Sequence, residues 1–153
     1  MINYCPRGEE VLVADGVYTG AGNRDLDFGG KAITLRSAAG DPSACIIDCE
    51  QQGRGFYFHS GETAASVVQD LTIRNGTAHD GGGLYCYNAN PTLTNCTITG
   101  NTAYYGGGVY CEWYSGPTLT NCTISGNTAD YAGGLVCLSN ASPTLTNCTI
   151  INN

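Results

Sequence analysis

The chain has 153 residues, enough for one domain with a core of its own, and only 12% of them are charged, against about 25% in an ordinary soluble domain. Its formal net charge of −7 argues against nucleic acid, which attracts basic surfaces. No apolar run reaches the ~18 residues of a membrane span, and the opening decapeptide lacks the anatomy of a signal peptide, so either a signal has been removed or the chain is a piece of something larger.

With 22 glycines and a single methionine, and with Asn and Thr abundant, helix formers are scarce and strand and turn formers plentiful. The expected class is all-β. In chain order, VLVADG (11–16), AITLRS (32–37) and CIID (45–48) are short aliphatic segments bounded by Gly-rich turns, and each is predicted as a strand. FYFHS (56–60) and VVQDLTI (67–73) follow. The second of these matches the later TLTNCTI at a 25-residue offset, with Asp70 in the place of an Asn.

From residue 80 the sequence becomes periodic. The octapeptide PTLTNCTI begins at Pro91, again at Pro117 and again at Pro143, a constant step of 26 residues. Each copy is preceded by a glycine-rich aliphatic segment: GGGLYC, GGGVYC or AGGLVC. A period near 25 that carries several short β segments is the mark of a solenoid.

Within the unit the inward apolar residues alternate, except that Leu93 to Cys96 is three steps. The alternation therefore slips at Asn95, predicting a corner, because Asn tolerates the left-handed conformation that bends a strand sharply. Three strands per coil follow: GLYC, PTLT and CTI, with TGNTAY as a glycine-bearing loop. Stacked coils place like on like, about 4.8 Å apart. Asn95, Asn121 and Asn147 are then expected to form a side-chain ladder. The chain divides into irregular coils over 1–79 and three regular coils over 80–153, as one solenoid domain.

The segments VLVADGVYTG, KAITLRS and GGGLYC…PTLTNCTI resemble the pectin-lyase-like right-handed parallel β-helix superfamily, in the manner of its bacterial cell-surface members. The GG-aliphatic strands and Asn corners are similar in style to chlamydial polymorphic outer-membrane proteins. The resemblance implies a right-handed helix, as parallel crossovers generally prefer; the segments read above make five to six coils of about 22–28 residues. It speaks to fold and not to activity.

Lyases of that superfamily use a carboxylate cluster for Ca²⁺ and a basic side chain, and its hydrolases use clustered aspartates. All six basic residues here (Arg7, Arg24, Lys31, Arg36, Arg54, Arg74) lie in the first half. Asp15, Asp48, Asp70, Arg36, Arg54, Arg74 and His59 are the available candidates, and most fall at corners and strand ends. No catalytic residue, metal or cofactor is therefore expected.

Nine cysteines suggest disulfides, but Cys86, Cys111 and Cys137 share one repeat position and Cys96, Cys122 and Cys148 another. In-register stacking keeps such Cβ vectors parallel and too far apart to bridge, so two buried thiol files are predicted. Cys5, Cys45 and Cys49 are irregular, and their pairing stays open. Asn75, Asn95, Asn121, Asn140 and Asn147 match the glycosylation pattern, three of them already explained as corners. Thr92 and Thr94, with their repeats, form outward threonine files that resemble ice-binding solenoid faces.

Tyr85 and Tyr110 are predicted outward on the GLYC strands, with Trp113 and Tyr114 on the next loop and Tyr105 and Tyr131 before the glycines. Such aromatics suit a glycan or partner surface. At the ends, Val11, Leu12 and Val13 and, opposite, Leu135, Val136 and Cys137 are read as open strand edges that pair between copies. The expected function is an extracellular or cell-surface, non-enzymatic structural protein that polymerises head to tail into a filament. The alternative is an adhesive, polysaccharide-binding module cut from a larger protein; a lyase-like enzyme is third.

Overall fold

The computed structural model describes residues 5–153. Short strands wind into a parallel β-solenoid of about five turns, and the one helical piece among the described residues is a 3₁₀ turn at Ala21–Asn23. Sheet A stacks β1 (Glu10–Val13), β3 (Thr34–Ser37), β6 (Val67–Gln69), β10 (Thr92–Thr94), β14 (Thr118–Thr120) and β18 (Thr144–Thr146). Sheet B stacks β2 (Gly16–Tyr18), β4 (Cys45–Asp48), β7 (Thr72–Arg74), β11 (Thr97–Thr99), β15 (Thr123–Ser125) and β19 (Thr149–Ile151).

Two smaller sheets close each coil. Sheet D holds β8 (Thr77–Asp80), β12 (Thr102–Tyr105) and β16 (Thr128–Tyr131). Sheet C holds β5 (Phe56–Phe58), β9 (Leu84–Tyr87), β13 (Val109–Glu112) and β17 (Leu135–Cys137). The chain runs A, B, D, C in each regular coil, and every strand pairs in parallel with its counterpart one coil away, such as Leu93 with Leu119 and Ile98 with Ile124.

Each regular coil thus has four strands rather than three. The segment read as a loop, TGNTAY, contains β12. Its alternation places only the small Ala103 inward, between exposed Thr102 and Tyr104, so the apolar signal that marks the other strands is nearly absent.

Sheets A and B meet at the predicted corner. Asp70, Asn95, Asn121 and Asn147 have φ of 57, 51, 55 and 53°, a left-handed conformation that carries the chain round in a single residue. Inward side chains from sheets A, B and C fill one continuous core, including Leu93, Ile98, Val109, Leu119 and Ile124. Toward the first coils the core widens around three phenylalanines, with Phe28 edge-on to Phe58 at 5.1 Å and Phe56 stacked on Phe58 at 5.7 Å.

The register also corrects the expected junction between copies. VLVA was aligned with the GLVC strand, but β1 belongs to sheet A and β17 to sheet C. Val11 and Val13 align with inward Leu35 and Ser37 of β3 while Leu12 faces outward at 56% exposure. Val11–Val13 and Leu135–Cys137 therefore lie in different sheets of the same helix and do not form one continuing ladder.

The amide ladder lies elsewhere than predicted. Asn95 Nδ2 donates to Asp70 Oδ1 at 2.7 Å, but among the described residues no amide-to-amide bond links Asn95, Asn121 and Asn147. Instead, Asn101 and Asn127, both buried, point into the helix just after the sheet B strands. Asn101 Nδ2 donates to Asn127 Oδ1 at 3.0 Å and Asn127 Nδ2 to Asn153 Oδ1 at 2.9 Å. The same oxygens accept the Asn101 and Asn127 backbone N–H groups, and the same amides donate back to Ile73 and Ile98 carbonyls. A turn that would otherwise bury unpaired backbone groups is fully served by this file.

Candidate functional site: a tyrosine-lined corner

Where sheet D turns into sheet C, the chain passes through Gly81–Gly83 or Gly106–Gly108. Glycine is compulsory here, since a Cβ on Gly107 would lie 2.4 Å from the Thr128 carbonyl oxygen and 2.9 Å from that of Gly133. The tight passage brings the outer faces of the two sheets together. Tyr105 on β12 and Tyr110 on β13 have ring centroids 6.2 Å apart.

From that contact aromatic rings extend along both sheets. On sheet C, Tyr57, Tyr85 and Tyr110 occupy one outward file, with successive centroids 5.0 and 5.2 Å apart. On sheet D, Tyr105 stacks on Tyr131 at 5.0 Å, and Tyr104 meets Tyr131 at 5.3 Å and His79 at 5.2 Å. His59 lies against Tyr57 at 4.0 Å and 3.3 Å from Asp27. In-register repetition produces the file, because the same outward position recurs every coil.

The rings are not equally available. Tyr85 and Tyr110 point outward yet are buried, covered by their neighbours, and so form the floor rather than the exposed platform expected of them. Tyr104 and Tyr131 are exposed, the latter at 54%, with Tyr105 half-buried between them. Trp113 and Tyr114 sit apart on an exposed loop with φ of 52 and 60°; Trp113 reaches Tyr87, 6.1 Å away.

Charge in this corner is mostly negative. Glu112 accepts hydrogen bonds from the Tyr85 and Tyr110 hydroxyls. Burial, with Glu112 and Asp80 nearby, pushes the Tyr110 phenol up to about 12 and raises that of Tyr85 further. Asp80 contacts His79 Nδ1 at 3.0 Å, and Asp130 stands near Tyr104. At the far end the Arg54 guanidinium lies 4.6 Å over the Tyr57 ring and 5.1 Å over that of Tyr85.

The sequence missed Tyr57, Tyr104, His79, Arg54 and Glu112. Tyr57 was legible in principle, since FYF aligns with LYC in the repeat; His79 and Tyr104 lie on the unseen fourth strand, and Arg54 and Glu112 join the site through the sheet C tyrosines. The catalytic candidates are dispersed. Arg36 pairs with Glu10 on sheet A, Arg74 with Asp48 at 2.9 Å on sheet B, and Arg54 and His59 stand beside sheet C.

All nine cysteines are unbridged. Cys86, Cys111, Cys96 and Cys122 are buried; Cys148 is half-buried and Cys137 exposed, so the thiol files are covered in four members and open in the last coil. Cys45 and Cys49 are buried thiols as well, and burial pushes them to about 11 and about 12.

Residues 21–153 match the family model described as "right handed beta helix region". No curated protein and no solved structure matches the chain.

Proposed function

The chain belongs to the right-handed β-helix family, and from that premise we propose that it is a non-catalytic binding module of the cell surface or extracellular space, whose tyrosine-lined corner holds a saccharide. The observation that carries this reading is the file of aromatic rings running along the helix axis with one rank per coil. Tyrosine offers a flat apolar face and a hydroxyl at its edge, which suits the apolar face and hydroxyl rim of a sugar ring. Ranks that repeat with each coil suit a polymer better than a single small molecule. The dispersal of Arg36, Arg74, Arg54 and His59 over three sheets supports binding without chemistry, since acid–base catalysis needs convergent groups.

Titration calorimetry against a panel of soluble polysaccharides tests this. Binding to at least one is expected, weakened tenfold or more by Tyr131→Ala with Tyr105→Ala. Absence of binding to any saccharide, or binding indifferent to the two substitutions, overturns it.

Head-to-tail self-assembly is the second reading, favoured by one observation. In the last coil Leu145 and Ile150 are 37% and 49% exposed, whereas Leu119 and Ile124 one coil below are fully buried. The reading covers Leu145 and Ile150 with a coil of a second copy, with β18 over β1 and β19 over β2. It ranks second because sheets A and B have six strands and sheets C and D four and three, so a copy continuing A and B leaves a step at C and D.

A further inference from the structure

We propose that the corner recognises a cationic ligand, and, resting on the saccharide reading above, that this ligand is an amino-sugar polymer with free, protonated amines. The protein itself shows how a cation sits on this surface. Arg54 lies over Tyr57 and Tyr85 while its Nε pairs with Asp25 Oδ1 at 3.3 Å and its Nη1 is buried without a hydrogen-bond partner, so two aromatic faces and one carboxylate together hold its charge.

Arg54 stands two residues before Phe56. Because Phe56 aligns with Leu84, and Leu84 with Val109 and Leu135, the equivalent positions in later coils are Gly82, Gly107 and Gly133. Crowding at the D–C passage excludes a side chain at Gly82 and Gly107. The later ranks therefore keep the tyrosines and lack a cation of their own.

The charge around those ranks is complementary. No Lys or Arg follows Arg74. Glu112 lies at the floor against Tyr85 and Tyr110, Asp80 aligns with Tyr105 and Tyr131 on sheet D, and Asp130 is on the exposed rim. His79, against Asp80, is the last basic side chain in the sequence. Aromatic faces flanked by carboxylates attract an ammonium group and repel a uronate. The repeat along the axis presents such a place once per coil, which matches a chain with one amine per sugar.

The test compares a glucosamine hexamer having free amines with its fully N-acetylated counterpart by calorimetry at a pH where the amines are protonated. The free-amine hexamer is expected to bind at least tenfold more tightly. Glu112→Gln, which keeps the hydrogen-bonding shape, and Asp80→Asn with Asp130→Asn should each reduce that preference several-fold, with unchanged thermal unfolding as the check on folding. Equal or tighter binding of the N-acetylated hexamer overturns the ammonium assignment while leaving the saccharide reading standing. Failure of both hexamers and of the whole polysaccharide panel overturns both. An amine preference untouched by the carboxylate substitutions would trace to the overall net charge, and the assignment would fall.

Discussion

Asparagine plays two physical roles in this chain, and the sequence displays only one of them plainly. At Asn95, Asn121 and Asn147 it supplies a left-handed residue between two strands, and the slip in apolar alternation reveals that corner. At Asn101 and Asn127 it supplies a buried amide that satisfies backbone groups of adjoining coils. That second role looks like ordinary loop polarity in GNTA, because a buried amide and a solvated one have the same letter. The two roles predict different costs. Asn127→Ala removes the acceptor of the buried Asn101 backbone N–H and of one Asn101 Nδ2 hydrogen, and a donor to the Ile98 carbonyl, and should destabilise by about 3 kcal/mol. Asn121→Val adds left-handed strain of roughly 1–3 kcal/mol. Thr120→Val, outward on β14, should change stability by less than about 0.5 kcal/mol. Denaturant unfolding of the three variants checks the order; an Asn127→Ala protein as stable as Thr120→Val would remove the interior ladder from the account.

At the scale of strands, sheets A, B and C were readable because aliphatic residues alternate in each. Sheet D was not, because an inward alanine and outward Thr and Tyr carry little apolar contrast. Missing it concealed the corner, and with it the juxtaposition of Tyr105 and Tyr110. Its glycines give a direct probe. Gly107→Ala requires a backbone shift and should cost about 1–3 kcal/mol, lowering Tm by several degrees for a domain of this size. Gly22→Ala, where an added Cβ meets nothing within 4 Å, should be neutral or slightly stabilising. Equal melting temperatures would mean that sheets D and C do not close as described. The thiols offer a second probe. Alkylation of native protein at neutral pH should reach Cys137 and Cys148 before Cys86, Cys96, Cys111 or Cys122, and Cys45 and Cys49 should stay protonated and protected. Mass spectrometry showing early modification at Cys111 or Cys122 would contradict the packing of the middle coils.

For the molecule as a whole, the repeat made the solenoid legible, while what the solenoid does depends on which outer surface meets a partner. Among the described residues the candidates are the threonine files of sheets A and B, the open face of the last coil, the exposed Trp113–Tyr114 loop and the tyrosine corner. Assembly through the open face would bury Leu145, Ile150 and Cys148, which lie on or between the sheet A and B strands β18 and β19. Alkylation of Cys148 should then slow as protein concentration rises, in step with light scattering. A monodisperse protein with concentration-independent alkylation would rule out end-to-end pairing of copies and leave the corner as the working surface. That corner is the central claim, and a crystal structure with a bound free-amine glucosamine oligomer tests it most directly. The account predicts sugar rings against Tyr105 and Tyr131, with an ammonium group within about 6 Å of a tyrosine ring centroid and beside Glu112 or Asp130. An oligomer ordered instead on the threonine files, or against Trp113 and Tyr114, would contradict it.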